Sequence, residues 1–241
     1  NLESGKGTNY TFRSLFTDQL VVTDAGKYYF FPINQDIPHN SFSETDFALD
    51  KSGIMHYQGA DGNVKGELGI DVSRFQGDID WKKVAAAGVK YAFIRVGSRG
   101  SSEGKIVLDD HFTKNAEGAL ANGLQIGVYF YSQAVNDDEA LEEAKFVLDT
   151  IEPYQITYPV VFDLEKADQD QARTEAVTQD QFTRNTQIFC DTVKGAGYTP
   201  MIYGNLKSYT LLLDLTKLTT YDKWIAYYNV PQYFPYEFSV W

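Results

Sequence analysis

From Gly69 to Trp241, short apolar runs alternate with stretches of helical period. The runs LGIDVS (68–73), YAFIRVG (91–97), QIGVYFYS (125–132), YPVVFDLE (158–165), TPMIYG (199–204) and KWIAYY (223–228) have strand length. Between them lie amphipathic segments at about 78–88, 109–122, 137–151 and 178–196. Three of these close on Ala87-Gly88, Asn122-Gly123 and Ala196-Gly197, where glycine supplies the left-handed residue that ends a helix. Strands that are apolar throughout are covered on both faces, and strand–helix–strand repetition makes their sheet parallel. The six runs therefore predict an α/β fold, a closed or nearly closed, distorted β/α barrel of the TIM type.

Residues 1–65 follow another pattern. YYFFPI at 28–33 reads as a short aromatic strand closed by Pro32, and Asp61-Gly62-Asn63 is a turn between strand-like pieces. No strong helical period appears. The expected organisation is a small β-rich N-terminal extension over 1–65, followed by the barrel over 66–241.

Composition narrows the range of partners. The 21 Lys and Arg against 33 Asp and Glu leave a net charge of −12, which disfavours the phosphate backbone of nucleic acid. No apolar run approaches the roughly 18 residues of a membrane span. Cys190 is the sole cysteine, so neither an internal disulfide nor a multi-thiolate zinc site is available; in TQIFCDTV it reads as a buried structural thiol. Tyr, Phe and Trp make up 15 % of the chain, an excess that fits either core packing or a ligand of neutral hydroxylated rings. The chain starts at Asn1 without a signal-like segment, so an export signal, if there is one, is expected to have been removed.

In a β/α barrel the chemistry sits at the C-terminal ends of the strands. The fourth run ends in Asp163-Leu164-Glu165. Strand alternation turns Asp163 and Glu165 to one face, with Cβ atoms roughly 6.6 Å apart. Carboxylates that close oppose each other's ionisation, which leaves one protonated and one charged, the pairing used to cleave glycosidic bonds. A salt-bridged pair at a strand end is the alternative. Asp71, in the first run, opens onto the same mouth, where a charge is costly unless paired or functional. Tyr129 and Tyr131 share a face, Tyr203 ends its run, and Trp224, Tyr227 and Tyr228 mark the last one. Arg95 reads as an ion-pair partner of a barrel carboxylate or a substrate contact. Asp109-Asp110 and Asp137-Asp138-Glu139 read as helix caps and first-turn acids. The run after Glu165, DQDQARTEAVTQDQ, reads as a solvated loop. His39, His56 and His111 are not placed to activate a serine, and no phosphate-loop, HExxH or EF-hand motif occurs.

GIDVSRFQGDIDWKKVAAAGVKYAFIRVG, the Asn115/Gly118 helix into GLQIGVYFYSQA, then YPVVFDLE, AGYTPMIYG and KWIAYY together resemble glycoside hydrolase family 25, the N-acetylmuramidase lysozymes. The resemblance runs from about Gly69 to Trp241. It implies hydrolysis of the β-1,4 bond between N-acetylmuramic acid and N-acetylglucosamine in peptidoglycan. By motif, Glu165 corresponds to the general acid, Asp163 to the carboxylate that orients the acetamido group or assists the leaving side, and Asp71 to the acid of the first strand. Tyr129, Tyr131, Tyr203 and Trp224 fall on the saccharide groove, and Tyr227 and Arg95 are further candidate contacts. The resemblance implies no cofactor or metal, a monomer, and an extracellular or cell-wall location. In the family a last strand follows Trp-Gln-Tyr and supplies a further aspartate; here Trp241 reads as the Trp of that motif, so the final strand is expected to be missing. A peptidoglycan-binding barrel without activity is the alternative. A chitinase-like family 18 enzyme is a weaker one, because its DxxDxDxE pattern would need an Asp where Val161 stands.

Overall fold

The computed structural model describes residues 15–51, 53–59, 61–167, 171–228 and 234–241. Its strands are β1 (Gln19–Asp24), β2 (Lys27–Pro32), β3 (Phe47–Leu49), β4 (Met55–Tyr57), β5 (Gly69–Val72), β6 (Tyr91–Arg99), β7 (Ile106–Leu108), β8 (Gln125–Ser132), β9 (Val160–Leu164), β10 (Pro200–Asn205) and β11 (Asp222–Ala226). Its α-helices are α1 (Trp81–Ala86), α2 (Phe112–Ala121), α3 (Asp137–Ile151) and α4 (Gln179–Gly195).

Six strands pair in parallel in the order β5-β6-β8-β9-β10-β11, and β7 folds back antiparallel on β6. Side-chain alternation divides them cleanly. Ala92, Ile94 and Val96 of β6, Ile126, Val128 and Phe130 of β8, and Val160, Phe162 and Leu164 of β9 face outward into the main core. That core includes Phe112 and Ala116 of α2, Ala144 and Val147 of α3, and Phe189 and Val193 of α4. The opposite set turns inward, where Phe93, Val161 and Met201 form a second, smaller core ringed by Tyr91, Tyr129, Tyr158, Tyr203 and Trp224. Burial on both faces is why these strands read as continuous apolar runs.

The sheet is a curled, mostly parallel half-barrel, the coarser form of the closed or nearly closed, distorted β/α barrel expected from the six units. The pairing path has two ends, and β5 and β11 are not paired among the described residues. On the outer edge of β11, Val240 forms an isolated parallel bridge with Trp224 and accepts from Ile225 N at 2.9 Å. The register of β6 shifts between Arg95 and Gly97, which bends the strand and lets β7 pair with its end.

Residues 19–57 pack onto this body. β1 and β2 form an antiparallel hairpin, as do β3 and β4. Leu20 of β1 and Ile37 belong to the main core. Asn40 Nδ2 donates to the carbonyls of Phe234 and Tyr236 at 2.5 and 3.0 Å, and Glu237 N donates to that of Pro38 at 2.9 Å. Phe42 packs on Phe238 and Phe47 on Trp241, with ring centroids 5.1 and 5.0 Å apart.

Two helix starts differ from expectation. Asp80 caps α1 by accepting from Lys83 N at 3.1 Å, so residues 78–79 stay outside the helix. His111, not Asp109, is the cap residue of α2; the Asp109 carboxylate accepts from His111 N at 3.0 Å and also from Arg95 and the backbone of Arg74. Asn136 caps α3, and Asp137, Asp138 and Glu139 occupy its first turn, where they suit the helix dipole. Cys190 is buried in α4 with its thiol pKa pushed up by burial. The run after Glu165 is less solvated than expected: Arg173 pairs with Glu139 at 2.6 Å and Thr174 is buried, while residues 168–170 lie outside the described set.

Candidate active site

At the C-terminal ends of the strands, Asp71, Tyr129, Asp163, Glu165, Tyr203 and Trp224 line one cavity of about 90 Å³. Register explains why they meet. Asp71 lies beside Phe93, Tyr129 beside Arg95 and Val161, and Asp163 beside both Tyr131 and Tyr203; Tyr203 in turn neighbours Trp224. Below the carboxylates is an aromatic floor, with Phe93 stacked on Trp224 at 4.7 Å and Tyr91 on Tyr158 at 4.5 Å.

This floor sets the electrostatics. Asp163 is buried, and its pKa is held well above the ordinary carboxylate value by desolvation, with the negative charges of Glu165 and Asp71 adding to the shift and Arg95 opposing it. Its Oδ1 has no hydrogen-bond partner among the described residues. Asp71 stands at the solvent edge, with its pKa also raised by desolvation from the cavity walls. Burial likewise raises Tyr129 and Tyr203, so both phenols stay protonated; Tyr129 shares a hydrogen bond with Ser73 and Tyr203 with Tyr228. The site thus combines a buried carboxyl whose ionisation is disfavoured, further carboxyl groups and phenolic hydroxyls over an apolar base. Such a set can hydrogen-bond a hydroxylated ring, stack against its faces and move a proton.

The remaining candidates lie elsewhere. Tyr131 sits next to Asp163 in register but is not among the residues lining the small cavity. Tyr227 follows β11 and packs against the outer core, and its carbonyl accepts from Trp241 Nε1 at 2.8 Å. It borders a groove of about 470 Å³ at the open side of the half-barrel, which shares Asp71, Tyr203 and Trp224 with the carboxylate cavity. Arg95 is committed to Asp109, with Nε and Nη2 each 2.7 Å from Oδ2, and stacks over Phe75 at 4.9 Å. Its influence on the site is through charge.

Sequence reasoning missed Gln133 and the ion-pair network behind it. Gln133 is buried next to β8, and its Nε2 donates to the backbone carbonyl of Glu165 at 3.2 Å while its Oε1 accepts from Thr174 at 3.1 Å. Beside it, Ser132 donates to Glu143 at 2.6 Å, and Glu143 accepts from Arg99 at 2.8 Å. Burial raises the pKa of Glu143 to about 7 against the opposing pull of Ser132 and Arg99. The one sequence signal for this network was a polar Ser132-Gln133 pair at the end of an otherwise apolar strand.

The fold and this cluster of carboxylates and aromatics at the C-terminal mouth can be set beside known proteins. Residues 70–241 match the model for glycosyl hydrolases family 25, and the chain belongs to that family. It is 30 % identical over 166 residues to the uncharacterized protein YegX of Escherichia coli, covering 66 % of this chain and 56 % of that protein. It is 27 % identical over 162 residues to the autolytic lysozyme of Clostridium acetobutylicum, covering 67 % of this chain and 45 % of the lysozyme. The chain therefore spans about half the length of these relatives. Among solved structures, the modular autolysin LytC of Streptococcus pneumoniae superposes with a TM-score of 0.64 at 22 % identity, over 92 % of this chain and 55 % of LytC. That overlap is too large for residues 70–241 alone, so the likeness of fold extends into the segment before residue 70.

Proposed function

We propose that the chain is a cell-wall hydrolase that cleaves the β-1,4 bond from N-acetylmuramic acid to N-acetylglucosamine in peptidoglycan. The observation that carries this reading is the meeting of Asp71, Asp163 and Glu165 in one cavity with Tyr129, Tyr203 and Trp224 around them. Family membership and the name of the clostridial relative support it.

In this reading Glu165 protonates the glycosidic oxygen as the bond to the anomeric carbon breaks, so the N-acetylglucosamine side leaves as an alcohol. The oxygen of water ends on the anomeric carbon of N-acetylmuramic acid, and the proton it releases restores the acid form of Glu165, directly or through solvent. Asp163, whose ionisation its surroundings disfavour, orients the acetamido group next to that carbon, and Asp71 balances positive charge that develops on the ring. Tyr129 and Tyr203 hydrogen-bond the sugars as phenols, and Trp224 offers a stacking face. Gln133 fixes the backbone of Glu165, which keeps its carboxyl in line with the bond. The enzyme works as a monomer at the cell wall or outside the cell.

Glu165→Gln keeps shape and hydrogen bonding but cannot give up a proton. Its kcat for release of reducing ends from purified peptidoglycan is expected to fall by at least about a hundredfold, with the thermal midpoint nearly unchanged. Full activity in this variant would remove Glu165 from the acid role.

A further inference from the structure

The carboxylate cavity is too small for a saccharide. At about 90 Å³ it has room for a few water molecules, whereas ligand clefts run to about 300–1,000 Å³. On the far side of Glu165, however, lies a groove of about 900 Å³ that shares this residue as a wall. Its walls include Glu165, Lys166, Asn205 and Lys207 from the barrel, and also Asp24 and Ala25 from the turn between β1 and β2. The N-terminal hairpin therefore reaches the mouth of the half-barrel.

Two features hold it there. Asp24 accepts from Lys166 Nζ at 2.9 Å and from Lys207 Nζ at 3.2 Å, across 142 and 183 residues of chain, and its side chain is only 17 % exposed. Lys166 directly follows Glu165, and Lys207 lies just beyond β10. Beneath the turn, Leu20, Val21 and Val22 of β1 are buried. The turn itself is tight: Ala25 and Gly26 both have positive φ, 46° and 75°, the geometry of a two-residue hairpin. Alanine disfavours that conformation, and the pairing of Asp24 with Lys27 across the turn supports it.

We infer that the β1–β2 turn is a wall of the substrate cleft, fixed by the Asp24 clamp to Lys166 and Lys207, and that it binds sugar units of a glycan strand beyond those astride the carboxylates. This rests on the peptidoglycan reading above. The groove's mixture of carboxylate, ammonium and amide groups suits the hydroxyl and acetamido groups of amino sugars and the carboxylates attached to them. Asp24 is a positioning residue here, acting through the hairpin and not on the reacting bond.

The test is length dependence. Soluble peptidoglycan fragments of two and of four or more disaccharide repeats are compared as substrates for the wild type, Asp24→Asn and Asp24→Glu. Asp24→Asn removes the charge and keeps the turn. It is expected to lower the ratio of kcat/KM on long over short fragments by about threefold or more, mainly through KM. Asp24→Glu is expected to recover most of that ratio. High salt should lower the ratio in the wild type and have little further effect in Asp24→Asn, a comparison that holds even where the variant is less stable. An unchanged ratio in Asp24→Asn, or an equal loss on both lengths, overturns the inference and leaves the hydrolase reading intact. A wild type that cleaves neither fragment overturns the hydrolase reading itself.

Discussion

Asp163 is surrounded by protein, with like charges from Glu165 and Asp71 adding to the cost of its ionisation. Its raised pKa has a consequence for stability. The folded protein keeps a proton that the unfolded chain gives up near the ordinary carboxylate value of about 4. Stability therefore falls as pH rises through that value toward the folded one. Asp163→Asn removes this cost. At pH 7 the variant is expected to melt at least about 2 °C above the wild type, with the gain fading below about pH 4. Its activity is expected to drop by about a hundredfold or more, because the acetamido group loses its guide. Melting curves at several pH values, paired with turnover, check both. A variant less stable than the wild type at pH 7 would mean that Asp163 is charged and paired in the folded state.

At the scale of elements, the inner faces of β6 and β8 decide whether the floor beneath the carboxylates can form. Gly127 of β8 lies against Phe93, which stacks on Trp224. A Cβ added at Gly127 would come within 2.5 Å of Phe93 Cε1 and 2.7 Å of the Pro159 carbonyl. Gly127→Ala is expected to cost about 1–3 kcal/mol and to shift the tryptophan fluorescence as Phe93 moves. Denaturant unfolding and an emission spectrum measure the two effects, and a wild-type-like result on both would contradict this packing. The same alternation made the site legible in the sequence. Alternation put Asp163 and Glu165 on one face, Asp71 was placed at the mouth by its position on the first strand, and Tyr129, Tyr203 and Trp224 by their strands and the family resemblance. Arg95 and Tyr227 were less legible. The partner of Arg95 is Asp109, beyond a register shift in β6 and next to α2, and Tyr227 lies just past the point where β11 stops.

At the scale of the whole molecule, the strand–helix alternation was legible as a β/α architecture, and the curvature of the sheet was not. Six parallel strands curl into a half-barrel whose open side is lined by Leu49 and Met55 of the extension and by Val240 and Trp241. The extension was the least legible part. In β1, Leu20, Val21 and Val22 are buried in succession, so the alternation that marks a half-buried strand is absent. Its contacts are also non-local: Asp24 meets Lys207, and Asn34 N meets Tyr236 Oη at 2.9 Å across 202 residues. Spacing along a chain carries no information about such pairs.

We read the groove at the open side of the half-barrel, the carboxylate cavity and the groove at the β1–β2 turn, which share lining residues in that order, as the path of a peptidoglycan strand. The identity of the new chain end tests this most directly. Purified peptidoglycan is digested with the protein, the products are reduced with borohydride, and the reduced sugars are identified by mass spectrometry. The expected result is muramitol at the new ends, as cleavage on the N-acetylmuramic acid side requires. Glucosaminitol at those ends, or no newly reducible sugar at all, would contradict it.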